Sequence, residues 1–238
     1  MKVTTSKSKN AESFYISKSF INDKGVSTSV NVRKLGLHKV CRKIRDKYSF
    51  KFDINSILSD LIYSRILEPS SKRSSYSCAM DFLEPPSYQL HDVYRSLNVL
   101  GKECDLIQSE TYKNSHLVGK RNDKLLFYDC TNYYFEIEDE DGIKRYGKSK
   151  EHRPNPIIQM GMFMDGDGIP LAFSLFPGNA NEQTSIKPLE EKILKEFDCQ
   201  KFIYCSDAGL GSEKIRKYNH MGERAFVVTQ SIKKLNAQ

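Results

Sequence analysis

The sequence predicts an α/β protein whose C-terminal half holds a mixed β-sheet flanked by helices. Two observations support this class. From about residue 122 onward, short apolar runs alternate with helical patterns in the order strand, strand, strand, helix, strand, helix, strand. Before that point, residues 36–110 show apolar residues at helical spacing. We therefore expect three parts: a basic N-terminal arm or hairpin at 1–35, a mainly helical region at 36–120, and a sheet-containing core at 121–238.

The strands and helices of the core can be bounded from the sequence. Runs rich in aromatic and aliphatic residues indicate buried strands, and Gly or Pro turns separate them. The prediction is strands over 124–136, 156–164 and 169–176, a helix over 185–197 capped by Thr184 or Ser185, a strand over 201–206, a helix over 212–221 and a strand over 225–230. This order matches the ribonuclease-H-like fold, in which the first and fourth strands lie side by side.

The N-terminal part of the chain begins with polar residues 1–12, which we expect to be disordered. Residues 13–20 and 26–32 then show rough alternation of apolar and polar side chains. The turn signal Asn22-Asp23-Lys24-Gly25 lies between them. This pattern predicts a basic β-hairpin.

The helical region contains short helices joined by polar turns. A helix around 57–66 has Asp53 or Asn55 as its cap and Pro69 as its stop signal. Further helical stretches are predicted over 76–82 and 87–107. Short helices joined by a turn that carries Lys72 and Arg73 are compatible with a helix-turn-helix-like DNA reader. An ordinary helical cap domain explains the same pattern equally well.

Charge is distributed unevenly along the chain. The net charge is +7, and residues 1–50 hold 12 Lys or Arg against 3 Asp or Glu. A basic segment on a near-neutral body suits a polyanionic partner, because phosphate contacts release counterions. A solvated basic tail is an alternative of similar weight.

The six cysteines form no Cys-x-x-Cys pair and have no histidine at zinc-finger spacing, which argues against a structural zinc site. We therefore expect reduced thiols. No apolar stretch follows the N-terminus and no run is long enough to span a bilayer, so a cytoplasmic protein with no membrane partner is expected.

Two aspartates are the strongest candidates for chemistry. Asp129 lies inside the apolar run 125–136, and Asp207 ends the apolar run that begins at Lys201. Burying a carboxylate as an ion is costly unless a cation meets it. In the predicted topology both aspartates reach the same end of the sheet, which favours a shared Mg²⁺ or Mn²⁺ site for phosphodiester chemistry. The alternative for each aspartate alone is a turn or cap residue.

Other charged residues receive weaker assignments. Asp165 and Asp167 lie in an Asp-Gly-Asp-Gly sequence, which turn geometry explains better than metal binding. The basic loop at 144–154 precedes the second core strand. Phosphate positioning and simple solvation are comparable explanations for its cations Lys148, Lys150 and Arg153.

Four segments of the core resemble motifs of bacterial insertion-sequence transposases of the DDE class, in the right order. They are Tyr128–Glu136 around the first aspartate, Gly147–Pro154, Gly168–Leu171 with Phe176–Asn179, and Tyr204–Leu210 around the second aspartate. The resemblance covers roughly residues 50–234 and implies a ribonuclease-H-like core that uses Mg²⁺ or Mn²⁺. It also implies double-stranded DNA partners (terminal repeats and target DNA), homo-oligomers assembled on DNA, and a nucleoid-associated location.

The resemblance implies that Asp129 and Asp207 are the first two metal ligands. The family's third ligand is a Glu on a later helix, but no Glu follows Glu223 in this sequence. We therefore expect an incomplete core and a truncated, impaired transposase. The alternatives are a non-catalytic DNA-binding fragment that inhibits a full-length partner, and a nuclease of the same fold with its third acid elsewhere, such as Glu136.

Overall fold

The structure is a computed structural model that describes residues 2–8, 11–21, 27–34, 37–82 and 84–229, with side chains from residue 39 onward. The chain divides into two compact units, residues 1–114 and 115–238. Each unit is described separately below. The six cysteines all lie in the described part of the chain, and all are free thiols, as the sequence predicts.

The first unit opens with a three-stranded antiparallel sheet in the order β1-β2-β3. Its strands are β1 (Lys2–Ser8), β2 (Ala11–Ile21) and β3 (Ser27–Lys34). The antiparallel pairing of β2 with β3 agrees with the predicted hairpin, whose turn at 22–25 lies outside the described residues. For the described residues of segment 1–12 the expectation of disorder is wrong, because β1 pairs along its length with β2 and its Val and Thr residues favour strand conformation.

Five helices follow in the first unit. They are α1 (Leu37–Lys47), α2 (Ile54–Leu67), α3 (Lys72–Ala79), α4 (Leu90–Lys102) and α5 (Cys104–Ser115). Asp53 caps α2, because its side chain accepts the backbone N–H of Asn55 at 2.9 Å; such a cap stabilises a helix by about 1 kcal/mol. Of the helices that the structure describes, none has the length and apolar content needed to cross a bilayer.

The helices of the first unit pack through two apolar clusters. One contains Ile57, Leu61, Tyr88 and Val93, and the other contains Val40, Ile44 and Ile54. Two lysines on the outer side of α1 form ion pairs with buried glutamates: Lys43 with Glu110 at 2.6 Å and Lys47 with Glu103 at 2.7 Å. Hydrogen bonds from Lys47 and Tyr48 hold the pKa of Glu103 below its usual value.

The second unit contains a five-stranded mixed sheet. Its elements are β4 (Leu125–Tyr134), β5 (Ile157–Asp165), β6 (Pro170–Pro177), α6 (Glu182–Glu196), β7 (Ile203–Ser206), α7 (Glu213–Asn219) and β8 (Ala225–Val228). The strand order is β6-β5-β4-β7-β8. Within this sheet β5 runs antiparallel to its neighbours and the other four strands run in one direction. This is the ribonuclease-H-like arrangement, and it confirms the predicted fold class.

The helices of the second unit cover one face of this sheet. Leu126, Tyr128 and Cys130 of β4 point into that face, where Ile186 and Ile193 of α6 are fully buried. Burial of an aliphatic side chain of this size contributes about 1.5–3 kcal/mol. The predicted start of α6 is wrong by about three residues. Asn181 is its cap, whereas Ser185 is buried and hydrogen bonds to the Tyr128 hydroxyl.

Candidate active site

Asp129 lies on the face of β4 opposite the helices. Side chains alternate along a strand, so the buried neighbours Tyr128 and Cys130 direct Asp129 to the open face. Its side chain is 70% exposed. Oδ1 accepts the backbone N–H of Cys130 at 2.8 Å, and within the described residues no hydrogen bond reaches Oδ2. The carboxylate is therefore fixed through one oxygen and can offer the other to a ligand.

Asp207 lies at the same level of the sheet as Asp129. The parallel strands β4 and β7 pair Phe127 with Cys205. Asp129 lies two residues farther along β4, and Asp207 lies two residues farther along the chain, just past the end of β7. Adjacent strands are about 4.8 Å apart where they pair, and Asp207 directly follows the last residue of β7. Asp207 is exposed, and its Oδ1 accepts the backbone N–H of Leu210 at 3.0 Å. That bond holds Asp207 in a tight turn after β7.

A basic loop lies along the edge of β4 that β7 leaves uncovered. β7 ends at Ser206, while β4 continues to Tyr134. In this space the Lys150 backbone N–H donates to Asn132 Oδ1 at 3.4 Å, and the Lys150 ammonium donates to the Cys130 carbonyl. The same ammonium lies 4.0 Å from Asp129 Oδ1. The structure thus brings together two residues that the sequence nominates separately, Asp129 and Lys150.

Two glycines fix the start of the basic loop. A Cβ on Gly147 would collide with the carbonyl oxygen of Gly178, and a Cβ on Gly178 would collide with the carbonyl oxygens of Arg145 and Ile157. The Gly178 backbone N–H also donates to the Ile143 carbonyl at 3.1 Å. Three backbone segments therefore meet more closely than any larger residue permits. This contact explains why the Pro-Gly-Asn segment and the basic segment each contain a glycine.

The other two nominated cations of this loop differ in their surroundings. Arg153 lies over the Tyr134 ring, 4.1 Å from its centroid, and its Nε donates to Glu151 at 2.8 Å. The hydrogen bond to Glu151 raises the pKa of Arg153 above its usual value. Lys148 is exposed. Arg153 is therefore oriented by neighbours, whereas Lys148 extends toward solvent.

Asp165, which the sequence assigns to a turn, belongs to the scaffold. It is 0% exposed, and its Oδ2 accepts the Arg121 Nε–H at 2.5 Å. Its Oδ1 accepts the backbone N–H groups of Asp167 and Ile169 at 3.0 and 2.9 Å. Burial works to raise the pKa of Asp165, but the hydrogen bonds from Ile169, Arg121 and Asp167 hold it below the usual value. Oδ1 is thus committed to the turn between β5 and β6, and Oδ2 is committed to Arg121.

The carboxylate oxygens of Asp129 and Asp207 are suitable ligands for a hard divalent cation, but they supply only two carboxylates. Mg²⁺ favours oxygen ligands and retains several waters, so two carboxylates and a substrate phosphate can hold it. Among the described residues, no group of three or more His, Cys, Asp or Glu is arranged to bind a metal. A third carboxylate, including Glu136, therefore does not join this pair in the described part of the chain.

Lys72 and Arg73 lie in the first unit, in the first turn of α3. Ser71 caps this helix, its Oγ accepting the Ser74 N–H at 3.1 Å. Four residues, 68–71, connect α2 to α3, a length typical of helix-turn-helix connections. Cations at a helix N-terminus oppose the helix dipole, so these two positions are not explained by helix stability.

The first unit also contains an open cleft of about 830 Å³ in which Tyr48, Phe50 and Phe52 contribute aromatic rings. Three basic and three acidic side chains line it: Arg45, Lys47, Lys51, Asp46, Asp53 and Asp92. Because the positive and negative charges are equal in number, the cleft does not present the excess of positive charge that attracts a polyanion. The cleft is therefore a weaker candidate for nucleic acid than the open sheet face.

Sequence reasoning missed three residues that shape the candidate site. Asn132 Oδ1 accepts the backbone N–H of Lys150, and Tyr134 lies beneath Arg153. Ser149, between Lys148 and Lys150 in the sequence, is buried. Asn132 and Tyr134 lie two and four residues after Cys130, so along β4 they alternate with Asp129 rather than share its face, and the alternation of the strand gives no signal for them. Ser149 has no signal either, because loop burial depends on tertiary packing.

Comparison with known proteins gives structural similarity but no sequence match. No family model matches the chain, and no curated protein matches its sequence. Two similar solved structures are the Mos1 transposase paired-end complex with left transposon end and the piggyBac transposase synaptic complex with hairpin DNA. The first has 11% identity and a TM-score of 0.31, and covers 71% of this chain and 57% of that chain. The second has 9% identity and a TM-score of 0.38, and covers 83% of this chain and 48% of that chain.

Proposed function

We propose that this chain is a DNA transposase that cuts and joins phosphodiester bonds at insertion-sequence ends, acting as a homo-oligomer on DNA. The observation that carries the proposal is the register of β4 and β7. Asp129 and Asp207 each lie two residues beyond the paired residues Phe127 and Cys205, and Lys150 lies beside Asp129. Two exposed carboxylates with uncommitted oxygens are suited to a cation, and an adjacent ammonium is suited to a phosphate.

The proposed cofactor is Mg²⁺ or Mn²⁺, held by Asp129 and Asp207. When bound, such an ion activates an attacking oxygen and stabilises the leaving oxygen of a phosphodiester. The chain's own residues position the site. Cys130 N–H and Leu210 N–H each fix one oxygen of a carboxylate, which leaves the second oxygen for the ion. Both aspartates thereby keep a constant orientation.

The proposed DNA contacts come from both units. In the second unit Lys148, Lys150 and Arg153 would bind phosphates next to the carboxylates. Arg153 is pre-oriented for this role, because it stacks on Tyr134 and is paired with Glu151. In the first unit Lys72 and Arg73 would contact the duplex at the start of α3. Phosphate contacts of this kind position the protein and make its affinity depend on salt.

A second candidate function is DNA binding without catalysis, in which the chain inhibits a full-length transposase. One observation favours it: the described residues bring no third acid to Asp129 and Asp207. A site with two carboxylates holds its ions more weakly than a site with three. On this candidate the cations would still bind element ends, but no cleavage would follow.

The test is Mn²⁺-dependent nicking of a duplex that carries the terminal repeats of the encoding element. We expect nicking by the wild-type chain, and expect D129N and D207N to reduce it to the level of the protein-free control. The matched control is D167N, because Asp167 is an exposed aspartate in the turn between β5 and β6. Tight DNA binding without nicking would favour the second candidate. Nicking that survives both D129N and D207N would overturn the proposed site.

A further inference from the structure

The ammonium of Lys150 lies beside the carboxylate of Asp129, where it can balance the negative charge. Its ammonium lies 4.0 Å from Asp129 Oδ1 and donates to the carbonyl of Cys130, the next residue. An ammonium and a divalent ion both seek oxygen atoms, and the two repel each other at short range. The Lys150 ammonium and the proposed divalent ion would therefore compete for the Asp129 carboxylate.

The position of Lys150 is built by its loop. Its backbone N–H is bound to Asn132, and the preceding Ser149 is buried at 6% exposure. The Ser149 hydroxyl accepts the Glu151 N–H at 3.2 Å, and the Ser149 carbonyl accepts the His152 N–H at 3.2 Å. His152 takes a left-handed conformation with φ of 56°, which closes this turn. These bonds hold the backbone on both sides of Lys150, and its side chain extends from that backbone to within 4.0 Å of Asp129 Oδ1.

We propose that Lys150 is a resident counter-ion of Asp129 that competes with the divalent metal and weakens its binding until a DNA phosphate draws the ammonium away. This inference rests on the proposed function, since it concerns the same carboxylate. It gives Lys150 a role that a simple phosphate-binding residue lacks. A phosphate and Asp129 compete for one ammonium, so phosphate binding and metal binding favour each other.

The test measures Mn²⁺ affinity in the absence of DNA, by calorimetry and by electron paramagnetic resonance of the free ion. We expect K150Q to bind Mn²⁺ about three- to tenfold more tightly than wild type, because the competing charge is gone. K150R retains the charge and should bind Mn²⁺ about as weakly as wild type. The matched control is K144Q, since Lys144 belongs to the same loop but its ammonium lies over the Phe135 ring, 5.7 Å from the centroid.

Each result has a defined meaning. Tighter binding in K150Q that exceeds the change in K144Q and is lost in the double variant K150Q/D129N supports the inference. Asp129-dependent Mn²⁺ binding that is equal in wild type, K150Q and K144Q overturns the inference and leaves the proposed metal site intact. No Asp129-dependent binding in either wild type or K150Q overturns both. Thermal unfolding of each variant shows whether the loop change has altered the fold.

Discussion

Asp129 and Asp165 lie on paired strands of one sheet but have opposite surroundings. Asp165, at the end of β5, is fully buried and accepts hydrogen bonds from Arg121, Asp167 and Ile169. Asp129, in β4, is 70% exposed, and its ion pair with Lys150 spans 4.0 Å. The Asp165 carboxylate is fully hydrogen bonded within the protein, whereas the Asp129 carboxylate remains available to a ligand.

The difference teaches that burial and partners, not residue type or strand position, separate an aspartate that the fold has fully hydrogen bonded from one that is open to a ligand. Both residues follow apolar runs in the sequence. Burial requires that every oxygen of Asp165 be satisfied within the chain, because an unpaired buried charge costs several kcal/mol. Asp129 faces water, so no such requirement applies to it. The following variants test how sharp this contrast is.

The largest expected effect comes from Arg121→Ala. This change leaves the Asp165 carboxylate buried without its cation, and removing one partner of a buried ion pair destabilises a protein by about 3–5 kcal/mol. Denaturant unfolding monitored by circular dichroism measures the free energy of unfolding of each variant. The control is Arg153→Ala, an exposed arginine of the same unit that pairs with Glu151 and should cost much less. Equal losses in the two variants would contradict the contrast.

Glu190 of α6 is a third case: it is buried like Asp165, but among the described residues only one of its two carboxylate oxygens accepts a hydrogen bond. Asn219 donates to its Oε2 at 3.0 Å, and Arg224 lies 3.5 Å from its Oε1. Burial outweighs both partners and raises the pKa of Glu190 to about 7 from 4.5. The folded state therefore binds a proton more tightly than the unfolded state, and the associated stability is full below pH 4.5 and lost as pH rises to about 7.

Glu190→Gln should remove this pH dependence, which amounts to about 3 kcal/mol across the window. The measurement is the free energy of unfolding at a series of pH values between 4 and 8. Glu191→Gln is the matched control, because its side chain is 43% exposed and pairs with Lys187 on the surface. If wild type and E190Q lose stability in parallel over this window, Glu190 is not the responsible group.

The smallest expected effect on stability comes from Asp129→Asn. The side chain is exposed and its ion pair is a surface pair, so the free energy of unfolding should change by less than about 0.5 kcal/mol. Denaturant unfolding in metal-free buffer checks this. A loss of 2 kcal/mol or more would show that Asp129 is a structural residue like Asp165, and would remove the contrast between them.

Much of the fold could be predicted from local sequence. The strands of the second unit were placed within about two residues, because apolar runs bounded by Gly, Pro and Asp define strands by themselves. One of the two predicted caps of α2, Asp53, is confirmed for the same reason, since a cap acts on residues next to it. Strand β1 was missed because it depends on pairing with β2, which is not a local property.

The candidate site was predictable only in part. Asp129, Asp207 and Lys150 could be nominated from the sequence, and their assignment as site residues stays a prediction. The approach of Lys150 to Asp129 could not be foreseen, because these residues are 21 positions apart and meet through a loop that the Gly147–Gly178 contact holds in place. Asp165 and Arg121 are 44 residues apart, so their pairing was equally hidden.

The sequence by itself determined the order of strands and helices and nominated Asp129 and Asp207, which follow apolar runs of two strands that pair in the sheet. Those features follow from backbone preferences and from the alternation of apolar residues, which act over a few positions. The tertiary structure decided which carboxylates are exposed, which cation stands beside each, and which glycines permit close backbone contact. These outcomes depend on burial and on distances between residues far apart in the chain, and desolvation and Coulomb energy act through space rather than along the sequence.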